Sequence, residues 1–299
     1  MAFIEVQGLS KSFPSAGGTR RILRDVSLSI ERGEFVSIVG AMGSGKSTLL
    51  SLLSGLTQPD EGSVSVGGVL TRGVRSDAAV VFQNYSLLPW FTAFENVRLA
   101  VEAACPELSK SEQRARATQT LERVGLGNAL NKRPRQLSGG MRQRVAIARA
   151  FATRPDVLFL DEPFGALDAL TRETLQLELA RLCRDDDRVV TTVMITNSVE
   201  EAILLSDRIV PMIPGPPLND ARGALSGLER APAMLGTPIA VDLPRPRSAA
   251  QLAHDEQATH ARAHVVAALT AALGRKRPNG PLHPDTASPV LRPVAEEPR

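Results

Sequence analysis

A chain of 299 residues, 43% hydrophobic and 22% charged, has the material for one large domain or two modest ones around a sizeable core. Its 35 Lys and Arg against 32 Asp and Glu leave a formal net charge of only +3, which argues against the concentrated basic face of a nucleic-acid binder. Met1–Val6 lacks the basic-then-apolar order of a signal peptide, and no run reaches the roughly 18 apolar residues of a membrane helix. Cys105 and Cys183 lie far apart without a CxxC spacing and read as reduced thiols.

In chain order, Ile4-Glu5-Val6-Gln7 alternates as a short strand, and Ile22 to Ile30 alternates again before the turn at Glu31-Arg32-Gly33. Between them Phe13 sits in a Ser/Gly-rich loop, where it either stacks on an adenine ring or covers a core edge. The apolar run Phe35–Val39 then enters Gly40-Ala41-Met42-Gly43-Ser44-Gly45-Lys46-Ser47-Thr48, and Leu49–Leu53 follows. Strand, glycine loop and helix in that order form a phosphate-binding P-loop. Its glycines let backbone N–H groups converge on phosphate oxygens, and the helix N-terminus adds unpaired donors and a positive dipole end. Lys46 is then placed to reach the terminal phosphates of a nucleoside triphosphate, and the Ser47 hydroxyl to ligate Mg²⁺.

Past a turn at Pro59–Gly62, Ser63–Val66 reads as a strand and Ala78–Phe82 as a buried one. Gln83 follows at its carboxyl end, where its amide can touch Mg²⁺ and the attacking water. Asn84–Phe91 contains the only Tyr and the only Trp, Tyr85 and Trp90. So many apolar groups around Pro89 suggest a protein-contacting surface or, less simply, a satellite core. From here to about Ala152 the pattern is helical. Ser109 and Glu112 form a capping box, and Gly125 and Gly127 close that helix. Ser138-Gly139-Gly140 opens a long helix, a second N-terminus suited to an anion.

Val157–Leu160 is a fully apolar strand running into Asp161 and Glu162. At that strand end Asp161 is placed to hold Mg²⁺ and Glu162 to polarise water. The loop Pro163–Asp168 precedes a helix from Thr171 to Leu182. Val189–Thr196 reads as a β-branched strand ending at Asn197-Ser198, a helix opens at Glu200, and Arg208–Met212 is a further strand. Beyond Pro214 the composition shifts to Gly, Pro and Ala. Thr237–Leu243 suits an edge strand and Gln251–Leu273 an amphipathic helix, on which Glu256, His260 and His264 recur every four residues. That spacing fits a solvated helix face or a surface metal site. Residues 275–299 are Pro-rich and read as disordered.

Together, Gly40–Thr48, Gln83, Leu137–Gln143, Val157–Glu162 and Ala166-Leu167-Asp168 resemble, in order and context, the Walker A, Q-loop, signature, Walker B and D-loop of ABC-type ATPase subunits. The resemblance spans roughly residues 1–215. It implies an α/β fold: a P-loop NTPase (RecA-like) core, an antiparallel β subdomain and an α-helical signature subdomain at about 84–155. A C-terminal extension then occupies 216–274. Leu87-Leu88-Pro89-Trp90 and Leu243-Pro244-Arg245-Pro246-Arg247 are similar to the nitrate/sulfonate/taurine class of bacterial importers, and both bear on partner contact.

Membership of that family would imply head-to-tail pairing with a second ATPase subunit, identical or homologous. Ser138, Gly139 and Gly140 of one copy, with Asp168, would then face ATP held by Lys46 of the other. It would also place the chain peripherally on the cytoplasmic face of the inner membrane. There multi-span permease subunits would meet the Gln83–Phe91 region, an external solute-binding protein would act indirectly, and no nucleic acid would be involved. The competing class is a non-transport ABC ATPase acting on nucleic acid or ribosomes. Those usually carry a coiled-coil insertion or two sets of motifs, and this chain shows neither. One position departs from the family pattern: Asn197 stands where a histidine contacts the γ-phosphate. Either Asn197 substitutes as a neutral donor, or a different partner chain completes the better site.

Overall fold

A computed structural model describes residues 2–15, 18–185, 188–215, 217–219 and 225–271. The first half runs β1 (Ile4–Ser15), β2 (Gly18–Ile30), β3 (Phe35–Val39), α1 (Lys46–Leu53), β4 (Glu61–Val66), β5 (Val69–Leu70), β6 (Ala78–Val81), α2 (Ala93–Ala104), α3 (Lys110–Arg123) and α4 (Gly139–Ala152). There follow β7 (Val157–Asp161), α5 (Ala169–Cys183), the short strands β8 (Arg184–Asp185) and β9 (Arg188–Val189), β10 (Thr191–Thr196), α6 (Val199–Leu205) and β11 (Arg208–Ile213). The remainder is β12 (Pro217–Asn219), β13 (Leu225–Arg230), β14 (Met234–Leu235), β15 (Ile239–Ala240), α7 (Ala249–Leu252) and α8 (Glu256–Ala271).

The central sheet has the order β14-β11-β3-β10-β7-β6, with β15 also on β11. Strands β11, β3, β10, β7 and β6 pair in parallel, whereas β14 and β15 run antiparallel. Continuous apolar runs are what strands covered on both faces require, and β3 is buried at every residue. Its alternation divides the core. Phe35 and Val39 pack with the helices α2–α6 and α8, while Val36 and Ile38 pack with α1 and an antiparallel sheet of order β2-β1-β4-β5. Helix α1 thus lies between the two sheets, with Leu49, Leu50, Leu52 and Leu53 all buried. The capping box read at Ser109 and Glu112 starts α3, and Thr92 with Glu95 makes another on α2.

Several local expectations change. Phe13 lies on β1, opposite Arg20, because the β1–β2 hairpin extends far beyond the Ile4–Gln7 alternation. The strand at Ala78–Phe82 ends at Val81 and is half-buried, since it is the edge of the central sheet. Val189–Thr196 breaks into β9 and β10 at Val190, and Thr237–Leu243 contributes only two paired residues. The helix expected over Gln251–Leu273 splits because Asp255 restarts it: its carboxylate accepts the Ala258 N–H at 2.8 Å. Glu256, His260 and His264 line an exposed face of α8, and among the described residues no set of three His, Cys, Asp or Glu groups is arranged to hold a metal. Residues 275–299 lie outside the described residues.

The arginines of Leu243–Arg247 point inward, while Pro244 and Pro246 between them are exposed. Arg247 is 7% exposed and donates to four carbonyls, those of Ile203, Ser206, Val241 and Leu243, at 2.7–3.2 Å. Arg245 donates to Leu205 O at 2.7 Å and to the Asp207 carboxylate at 2.9 Å. These cations satisfy the carbonyls at the end of α6, where a positive charge is favoured, and so fasten the extension to the sheet. Burial pushes the Arg247 pKa down to about 10. Helix α8 completes the attachment by burying Ala258 and Val265 in the core shared with α6. Arg247→Ala strips four buried carbonyls of a donor, so urea unfolding followed by circular dichroism should show a loss of about 3 kcal/mol or more, with Arg247→Lys in between. A loss below about 1 kcal/mol would contradict the fastening role.

Candidate nucleotide site

Parallel pairing brings four strand ends to one edge of the sheet. Thr196 pairs with Val39, Ile195 with Asp161, and Val81 with Leu160. The residues that follow those ends, Gly40, Asn197, Glu162 and Gln83, therefore meet although up to 157 positions separate them in sequence. This is where open α/β sheets bind ligands. The Glu162 N–H donates to Ile195 O at 3.0 Å, which ties the turn after β7 to β10. Glu162 itself has φ of 43°, a left-handed conformation that a side-chain-bearing residue adopts only when its surroundings impose it.

From Gly40 the chain turns into α1. Gly45, at φ of 97°, occupies the N-cap in a conformation open to glycine and costly for other residues. Lys46 is 4% exposed, and its ammonium donates to Gly40 O at 3.0 Å, Ala41 O at 3.1 Å and Asn197 Oδ1 at 2.7 Å. The same amide donates through Nδ2 to Glu162 Oε1 at 2.7 Å, and Lys46 lies 3.8 Å from that oxygen. Asn197 thus bridges the cation and the anion of the site. Burial pulls the Lys46 pKa down against the opposing pull of Glu162 and Asp161. Burial raises the Asp161 carboxyl, although Ser47 Oγ donates to it at 3.3 Å.

Gln83 Nε2 donates to the other Glu162 oxygen at 3.4 Å. Ser47, Asp161 and Gln83 supply hard oxygen donors, the chemistry Mg²⁺ takes. The Ser44 hydroxyl is buried with no partner among the described residues, an orphan within the loop that a phosphate oxygen suits. Ala41, Met42 and Gly43 are exposed, with Met42 at 88%. Thr48 continues α1 and is half-buried.

Other residues singled out in sequence lie apart from this cluster. Ser138 caps α4, its hydroxyl accepting the Met141 N–H at 3.2 Å. Gly139 neighbours Tyr85 and Leu167, and a Cβ on Gly140 would come within 2.3 Å of Thr171 Cγ2, so a larger residue there would force the Thr171 side chain to move. Asp168 caps α5 by accepting the Thr171 N–H at 3.0 Å, a bond that lowers its carboxyl pKa. Phe13 is 39% exposed with the Lys11 ammonium 5.5 Å from its ring centre. Its cross-strand neighbour Arg20 lines a cleft of about 20 Å³ with Gly43 and Ser44, which sets the hairpin beside the phosphate loop.

Sequence reasoning missed Arg149 and Glu201. Arg149, on α4, donates to Tyr85 O at 3.0 Å and to Ser86 O at 2.5 Å, and both residues hold φ above 0°. It therefore pins the turn after Gln83. Glu201 is buried and accepts the Thr196 hydroxyl at 2.7 Å. Neither contact leaves a signal in local spacing.

Residues 23–165 match the family described as ABC transporter. The chain is 46% identical to the nitrate transport protein NasD of Klebsiella oxytoca, over 88% of this chain and 94% of that protein. It is 45% identical to the bicarbonate transport ATP-binding protein CmpC of Synechococcus elongatus over 88% of its own length, but spans only 37% of that longer protein. Among solved structures, it superposes on the ATP-binding cassette MJ0796, a dimer in a post-hydrolysis state bound to ADP and Pi. The TM-score is 0.67 and the identity 31%, over 81% of this chain and 100% of that one. The fold, the strand-end cluster and these likenesses agree, and the chain belongs to the ABC transporter family of ATP-binding proteins.

Proposed function

We propose that this chain is the ATP-hydrolysing subunit of a bacterial importer for a small oxyanion of the nitrate or bicarbonate kind. The observation that carries the reading is the convergence of Lys46, Ser47, Gln83, Asp161, Glu162 and Asn197 on one sheet edge. The solute class rests on the names of the relatives, NasD and CmpC. Residues 1–215 form the ATPase unit, with 84–155 as its helical part and 216–274 as an extension. Among the described residues no helix is long and apolar enough to cross a membrane. In this reading separate permease subunits supply the path. The Gln83–Phe91 region, with Trp90 63% exposed, is the surface offered to them at the cytoplasmic side of the inner membrane. A solute-binding protein delivers the anion from outside.

In the reaction, backbone N–H groups of 40–48 and the Lys46 ammonium bind the β- and γ-phosphates of ATP. Ser47, Asp161 and Gln83 would hold Mg²⁺, which neutralises charge building on the phosphate oxygens when bound. Glu162 takes a proton from the water whose oxygen bonds to the γ-phosphorus, while the bridging P–O bond to ADP breaks. Asn197 donates from Nδ2 to the γ-phosphate, and to do so it releases Glu162. Ser138–Gly140 of a second copy close over the nucleotide, which makes the ATP-bound state a dimer.

Two outcomes follow. Glu162→Gln binds ATP without cleaving it and should elute with Mg²⁺-ATP at twice the monomer mass in size exclusion with light scattering; a monomer under saturating ATP would contradict the pairing. For Asn197→His, steady-state turnover should stay within about threefold of the parent, because the amide already supplies the donor that the histidine would. A rise of about 10²-fold would show instead that the amide leaves the site incomplete.

A further inference from the structure

Asn197 follows a buried strand and precedes α6, so its aim depends on a single turn, Thr196–Ser198. Three bonds fix that turn from beneath. Ser198 N–H donates to Thr196 Oγ1 at 3.0 Å, Thr196 Oγ1 donates to Glu201 Oε2 at 2.7 Å, and the Glu201 N–H returns to Ser198 Oγ at 3.2 Å. Both Thr196 and Glu201 are buried, at 2% and 7% exposure. A carboxyl at that depth is costly without partners, and burial pushes its pKa upward.

Its second partner comes from another element. Arg172 on α5 lies 3.9 Å from Glu201 Oε1. The same guanidinium donates to Leu167 O at 2.8 Å and Phe164 O at 3.3 Å, the carbonyls of the loop that leaves Glu162. One arginine and one glutamate therefore connect the segment carrying Glu162 to the segment carrying Asn197. The two side chains so connected meet at 2.7 Å.

We propose that Glu201 and Arg172 are positioning residues for the Asn197–Glu162 pair. Glu201 sets the Thr196–Ser198 turn through the Thr196 hydroxyl. Arg172 fixes the Phe164–Leu167 loop against it. Each acts by fixing the turn that carries one of the two side chains, and so sets where the amide and the carboxylate stand when ATP enters. This rests on the ATPase reading given above.

The test is a double-mutant cycle, because a residue that acts only through Asn197 has no effect once Asn197 is gone. Glu201→Ala and Thr196→Val are each made in the parent and in Asn197→Ala, and kcat and KM for ATP are measured with the binding of a fluorescent ATP analogue and the melting midpoint. In the parent, each change should lower kcat by about tenfold while KM and analogue affinity stay within about twofold. In the Asn197→Ala background Thr196→Val should not lower kcat further, and Glu201→Ala, which also frees Arg172, should lower it by less than in the parent. Glu201→Gln, which still accepts the Thr196 hydroxyl, should restore most of the turnover. Thr196→Val is close to isosteric and decides the matter if Glu201→Ala melts at a much lower temperature. Equal losses in both backgrounds, or losses in step with weakened analogue binding, would overturn the inference. A parent chain that binds but never hydrolyses ATP would instead refute the ATPase reading itself.

Discussion

A single side-chain amide separates the two opposite charges at the centre of this site. Lys46 and Glu162 lie 3.8 Å apart, and Asn197 accepts from one while donating to the other. At an effective dielectric near 20, charges at that distance attract by about 4 kcal/mol, enough for an unmediated pair to close on itself. The amide satisfies both ends and adds no charge of its own. A protonated imidazole at the same place would face the Lys46 ammonium as a like charge, so a neutral group is the gentler neighbour in the nucleotide-free state. In the proposed reaction the amide supplies the donor that a histidine would, without its charge.

That bridge depends on the sheet beneath it. Three parallel strands in fixed register, β3, β10 and β7, end together and deliver Gly40, Asn197 and Glu162 to adjoining points. A slip of one residue would turn the following side chains to the opposite face. The fully buried sides of all three strands make such a slip expensive. The turns then need holding individually, which is where buried polar groups gather. Glu201 and Arg172 hold the turns at Asn197 and after Glu162, Arg149 holds the one after Gln83, and Arg247 closes the end of α6. Glu201 and Arg247 are buried and Arg149 and Arg172 half-buried, and a buried charged group is rare unless paired.

Much of the site was legible in sequence because its chemistry is local. The loop 40–48, the acids at the end of Val157–Leu160 and the capping box at Ser109 each announce themselves within a few residues. The departure at Asn197 was visible for the same reason. What was not legible is long-range. Phe13 looked like a loop residue because a hairpin's pairing extends beyond its alternating core. Arg245 and Arg247 lay in a stretch read for its bearing on partners, and nothing nearby in sequence says that α6 ends beside them. Glu201 read as one acid in a helix start, and only the fold shows that Thr196 lies over it and Arg172 beside it. In each case the missing information was the identity of a partner at least five and up to about forty residues away.

The extension after Pro214 is part of the same scaffold, since Arg247 and α8 both pack against the helix that begins just after Asn197. The strand ends, the turn Thr196–Ser198 and α6 thus bear on the aim of one amide. Turnover of Asn197→Ala, compared with the parent at saturating Mg²⁺-ATP, tests that claim most directly. The account predicts a fall in kcat of about 10²-fold with ATP binding nearly unchanged. Turnover close to that of the parent would contradict it.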